Sequence, residues 1–133
     1  MKRQQRVRNE LGSSSVEVVI IFPIVLGIIL AIVQVGIAAH AHSVAEAAAQ
    51  EGAAAARRFD GSAGAGEART VEYLNQLGPT ILQDRSVNVQ RSATKVTVTV
   101  TGKVVSVVPG LNLEVSKSAS GPVERYVAPE RQP

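Results

Sequence analysis

Cysteine and tryptophan are absent from this chain, and aromatic residues make up only 3% of its 133 residues. Without cysteine there is no disulfide, no zinc–thiolate site and no thiolate nucleophile; the lack does not by itself fix the compartment. With so few rings, neither a large aromatic core nor a stacking platform for sugars is available. Histidine is scarce as well. His40 and His42 are the only two, and two positions apart on a helix their side chains diverge by about 200°, so they cannot share one metal ion. No Ser/His/Asp set, phosphate-cradling glycine loop or acidic cluster at metal spacing is present. Gly61, Gly64 and Gly66 follow no strand of a βαβ unit. These absences point away from an enzyme: no catalytic residue, metal, cofactor or small-molecule substrate is expected.

Charge is unevenly placed. The formal net charge is +3, from 14 basic and 11 acidic residues. Lys2, Arg3, Arg6, Arg8 and Glu10 precede Gly12, so ten residues of each sign remain after it and the rest of the chain is neutral. The excess is a leader in front of a hydrophobic run, not a patch on a domain, and nucleic acid is not an expected partner. Basic residues flanking a membrane segment stay in the cytoplasm. The expected topology is therefore single-pass in the cytoplasmic membrane, with the N-terminus inside and the remainder outside.

What is abundant is apolar and uninterrupted. From Val18 to Val33 no residue is charged or polar, and Gln34 is the first interruption before the run fades into alanines near His40. About twenty apolar residues suffice for a helix to cross a bilayer. Ser13 to Ser15 are good N-caps, which predicts a helix starting there, with residues 1–12 as a flexible leader. Pro23 lies inside the run, where it removes one backbone bond and clashes with the carbonyl of Val19, so a kink is expected; membrane helices tolerate this. Gly27 and Gly36 are small positions where another helix could approach, but their spacing is not GxxxG. The alanine-rich stretch after Ala38 continues the helix to Arg58. At about 1.5 Å per residue this is a rod of about 65–70 Å, whose outer half suits close packing against other helices. His40 and His42 would then be polar residues at the membrane's outer edge.

Residues 59–133 form the head. Asp60 to Gly66 reads as a linker by its glycines. Glu67 to Leu77 reads as a short helix, with Val71, Leu74, Leu77 and Ile81 at helical spacing. The period then changes to two. Val87 and Val89 alternate with polar residues. Val96, Val98 and Val100 face one way, with Thr97, Thr99 and Thr101 facing the other. Arg91 to Thr94 is the turn of a hairpin, Gly102 marks a bulge, and Pro109-Gly110 turns into a third strand ending near Ser118. The tail from Gly121 is irregular. The fold class is α+β: a long N-terminal transmembrane helix, then a small head with one short helix and a roughly three-stranded antiparallel sheet.

Glu17 stands apart, because a carboxylate heading an apolar run is costly and ionisable residues in membrane segments are functional candidates. Gly12 followed five residues later by Glu17, with basic residues upstream, resembles the type IV prepilin processing site. That resemblance implies cleavage between Gly12 and Ser13 by a membrane aspartic prepilin peptidase. The leader is lost and the hydrophobic segment stays. The new amine of Ser13 would then meet Glu17 of a neighbouring subunit, since a buried charge is tolerable only when paired. The longer stretch GSSSVEVVIIFPIVLGIILAIVQVGIAAHAHSVAEAAAQEGAAAARR, with its Val-Glu, single proline, late polar residue and alanine-rich extension, resembles the TadE-like family of the tight-adherence pilus system. The head stretch VTVTVTGKVVSVVPGLNLEVSKSASGPVE is similar to that family's strand, Pro-Gly turn, strand and terminal Pro-Val-Glu. Val18 stands where the major pilins of the system carry tyrosine, which favours a minor pilin-like protein (pseudopilin). Membership implies roles in assembling pili for adhesion and biofilm formation. The partners implied are a prepilin peptidase, other pilins or pseudopilins, and an inner-membrane assembly platform.

Two other classes compete. A conventional signal peptide cut at Ala39-His40-Ala41 would make the protein secreted, although the apolar run exceeds a signal core of about 7–15 residues. An uncut helix would make it a membrane-anchored accessory or sensor protein. A native N-terminus at Ser13, His42 or Met1 separates the three.

Overall fold

The computed structural model describes residues 4–129, with side chains described from Ser14 onward. The chain forms α1 (Gln4–Arg57), α2 (Ala63–Leu77), β1 (Leu82–Arg91), β2 (Lys95–Val104) and β3 (Leu113–Pro122). The α+β class expected from the sequence is observed, including the long N-terminal helix and the three antiparallel strands in the order β1-β2-β3.

α1 begins well before the serines. Gln4 to Leu11 is helical, contrary to the expectation of a flexible leader with a helix starting at Ser13–Ser15. The physical reason is that Gln, Arg, Glu and Leu are good helix formers. Once the apolar run nucleates a helix, each added residue needs only the favourable propagation step. Pro23 lies inside the same unbroken helix.

The two halves of α1 live in different surroundings. From Ser14 to Val33 every residue but Leu30 is exposed, including Val19 at 72% and Phe22 at 64%. After Gln34 one face goes inside: Ala41, Val44, Ala45, Ala48, Ala49, Ala53 and Ala56 are buried. They recur at three- and four-residue steps, as one helix face must. The alanines thus pack within this chain, against α2 and the sheet, rather than only against other helices. The core of the head is built on the second half of α1.

α2 starts four residues earlier than the glycines suggested. Ser62 is its N-cap, accepting a hydrogen bond from the Ala65 amide at 3.0 Å, so Gly64 and Gly66 belong to the helix rather than to a linker. Gly66 is there because α1 passes so close: a β-carbon on it would lie 2.7 Å from the Ala56 Cβ and 2.9 Å from the Gly52 carbonyl oxygen. Gly52 answers from α1, its missing side chain filled by the Thr70 hydroxyl, which itself donates to the Gly66 carbonyl at 2.8 Å. At the edge of this contact Arg69 bonds Glu51 of α1 and Glu72 of α2, both at 3.2 Å. The carboxylates of Glu72 and, next, Glu51 hold its pKa above the ordinary value.

The sheet lies against α1 with its valine face. Val96, Val98, Val100 and Val104 of β2 are buried, flanked by Val87 and Val89 of β1 and by Val115 and Ala119 of β3. The register places Thr99 between Asn88 and Ser118, and Thr97 and Thr101 between similar neighbours. The middle of the outer face is therefore a grid of neutral hydroxyls and amides, with Lys95 at one end and Lys103 and Glu114 at the other. The bulge sits opposite Gly102 rather than at it: Asp84 and Arg85 of β1 share that one partner position, and Asp84 takes φ 47°. β3 runs on to Pro122, beyond the expected end at Ser118. The tail after it is irregular but fastened: the Glu124 amide donates to the Arg57 carbonyl at 2.8 Å, and Phe59 and Tyr126 pack with ring centroids 5.8 Å apart.

Candidate functional site: the anchor helix and its junction with the head

The residues singled out for processing and assembly fall on the first half of α1. Gly12 and Ser13 lie within the helical backbone; the surroundings of both lie outside what is described. Glu17 follows with an exposed side chain, at the head of the exposed run Val18–Val33. His40 and His42 are both exposed. Gly27 and Gly36 have open space around them within the chain. Gly12, Ser13, Glu17 and Pro23 are thus distributed along one rod and are not gathered into a pocket. What the geometry offers is a surface for other helices or lipid.

In the sequence Gln34 is the interruption of the apolar run and the late polar residue of the TadE-like pattern. In the structure it is 3% exposed and grips the β2–β3 loop. Its Nε2 donates to the Val105 carbonyl at 3.3 Å, and its Oε1 accepts from the Val107 amide at 2.8 Å. A carboxamide in an apolar run is expensive unless bonded, and here both of its ends are used. The signal that could have found this pairing is the coincidence of one late polar residue with one long uncharged loop.

The far end of α1 is also capped by residues the sequence did not single out. The Arg91 Nε donates to the Ala56 carbonyl at 2.9 Å, and Glu124 takes the next carbonyl. The last carbonyls of a helix need such donors, and positive charge there is favourable. The sequence pattern puts Arg91 in the hairpin turn; in the structure it is the last residue of β1, with its side chain on the inner face.

An exposed apolar helix long enough to cross a bilayer, continuous with a small α+β head, defines the class of a single-pass membrane-anchored protein. Residues 12–54 match the family model of TadE-like proteins, so the anchor helix and most of its alanine-rich extension carry the TadE-like pattern, and the resemblance read from the residues is met there. The match stops before the head. A TadE-like segment fits a protein associated with the tight-adherence pilus system. No curated protein and no solved structure matches the chain.

Proposed function

We propose that this protein is a minor pilin-like subunit, a pseudopilin, that supports assembly of tight-adherence pili and through them adhesion and biofilm formation. The observation that carries the reading is that the TadE-like segment, residues 12–54, takes in the whole exposed half of α1, headed by Glu17. In this reading a prepilin peptidase cuts between Gly12 and Ser13, after opening the helix locally where glycine makes that easiest. The basic leader is held inside and the head lies outside. The freed amine of Ser13 pairs with Glu17 of a neighbouring pilin, and the assembly platform draws the exposed helix into a bundle.

Burial at the junction supports this over a conventional signal peptide. Ala41 is completely buried in the head's core and Gln34 holds the β2–β3 loop. A cut after Ala41 would sever both from the folded head.

The test is the intact mass and N-terminal sequence of the protein purified from its native membrane. A start at Ser13 is expected, with Gly12→Val leaving the full-length chain in place. A native start at Met1 would make the protein an uncut anchor, and a start at His42 a secreted domain; either overturns the pilin reading.

A further inference from the structure

The loop between β2 and β3 is unusual in what surrounds its backbone. From Val104 to Leu113 it carries no charge, and Val107 and Leu111 are exposed. Several of its polar backbone groups are nevertheless occupied within the chain. Gln34 takes the Val105 carbonyl and the Val107 amide. The Ser106 hydroxyl donates to the Val108 carbonyl at 2.8 Å and accepts from the Val108 amide at 3.2 Å. The Leu111 amide closes the turn onto the Val108 carbonyl at 3.3 Å, with Gly110 at φ 78° as a turn of this kind requires. Each such bond lowers the cost of bringing the loop into lipid, where unsatisfied backbone groups are costly, and Val107 and Leu111 turn outward beside them.

Its height along α1 matters as much. A hydrocarbon core of about 30 Å is spanned by about twenty helical residues, so a span opening at Val18 closes near Ile37. Gln34 then lies roughly 5 Å inside the hydrocarbon boundary on the head's side, at about 1.5 Å per residue. One turn earlier on the same face, Leu30 is the only residue from Ser14 to Val33 that is not exposed. Just above the loop, Lys103 and Glu114 face each other across β2 and β3, charged where the headgroups would be.

We propose that the β2–β3 loop is a second membrane contact: clamped by Gln34, it enters the leaflet on the head's side and presents Val107 and Leu111 to lipid. The inference rests on the first half of α1 being a membrane span. The partner is a lipid surface, met at a depth of about 5–10 Å into the headgroup–acyl boundary. The head is then seated against the bilayer as well as tethered to it.

The absence of native cysteine allows single labels. Val107→Cys, Leu111→Cys, Ser118→Cys and Ile24→Cys, each in the full chain, would carry a polarity-sensitive fluorophore. The proteins would be reconstituted into phosphatidylcholine–phosphatidylglycerol vesicles containing lipids with a nitroxide at a shallow or a deep acyl position. Labels at 107 and 111 are expected to lose about half or more of their emission to the shallow nitroxide and less to the deep one, as an interfacial depth requires. Ser118, on the outer sheet face, should be unaffected, and Ile24 should be quenched most by the deep nitroxide. Adding Gln34→Ala to the Val107→Cys chain should reduce the shallow quenching. If Ile24 is quenched while 107 and 111 are not, the loop proposal is overturned and the anchor stands. If Ile24 is not quenched either, both fail. Shallow quenching at 107 unchanged by Gln34→Ala overturns the clamp.

Discussion

A glycine inside a helix usually weakens it by about 1 kcal/mol relative to alanine, so replacing one should help wherever there is room. Gly52 and Gly27 divide on that condition. A β-carbon at Gly52 would run into the Thr70 hydroxyl and lie 2.9 Å from the Gly66 carbonyl, whereas nothing lies within 4 Å of one at Gly27. Gly52→Ala is expected to lower stability by about 1–3 kcal/mol through overpacking, and Gly27→Ala to leave it unchanged or slightly raised. Thermal unfolding of the detergent-solubilised protein, followed by circular dichroism, compares the two; equal stability would show that the helices do not meet this closely. Neither Gly52 nor Gly66 could be read for this role from the sequence, because the requirement comes from a helix crossing and not from any local pattern. Glu17 is the reverse case, conspicuous in the sequence and exposed in the single chain, and the proposed pairing puts its partner on another chain. Removing one partner of a buried pair costs roughly 3–5 kcal/mol. Glu17→Ala is therefore expected to be cut after Gly12 and to reside in the membrane, yet to lose site-specific crosslinks from Ala31 to partner pilins. Crosslinking at the parental level would reduce Glu17 to an interfacial residue.

Among the elements, β2 was the most legible, since alternation of valine and threonine at period two leaves little choice of face. The two faces predict opposite tolerances. Val98→Thr places a hydroxyl in a completely buried site and should cost about 1–3 kcal/mol. Thr99→Val, on the outer face, gives up one hydroxyl contact with Ser118 at 3.2 Å and should stay within about 0.5 kcal/mol. Denaturant unfolding of both variants checks the assignment of faces, and a larger loss for Thr99→Val would invert it. The helix boundaries were harder to read. α2 hid its start because Gly64 and Gly66 look like a linker until α1 is known to pass over them, while Ser62 was the available clue. The start of α1 was misplaced because a basic segment without apolar periodicity carries no burial signal, only propensity. The bulge was assigned to Gly102, when the extra residue sits across the ladder at Asp84–Arg85.

At the level of the whole molecule, anchor and head were legible as two regions, but their boundary was not. The sequence places it after Arg58, where alanine gives way to glycine; the core places it inside α1, from Ala41 onward. Alanine reads as helix propensity and says little about burial until its partners are known. A fragment of residues 59–133 lacks the surface on which β2 and β3 pack, and is expected to show no cooperative unfolding. A fragment of residues 38–133 keeps it and should unfold in a single transition. Circular dichroism with heating distinguishes them, and a cooperative 59–133 fragment would mean that the sheet and α2 suffice alone. Because no hinge separates anchor from head, the two also share one rotational phase. Each residue advances a helix by about 100°, and the face that bears Gln34, Ala41 and Ala45 is already spent on the head. A neighbouring helix can approach the anchor only from the remaining arc, and every such approach fixes which way the hydroxyl-lined sheet points. Side-by-side packing of anchors would therefore set the heading of the heads without any contact between the heads themselves.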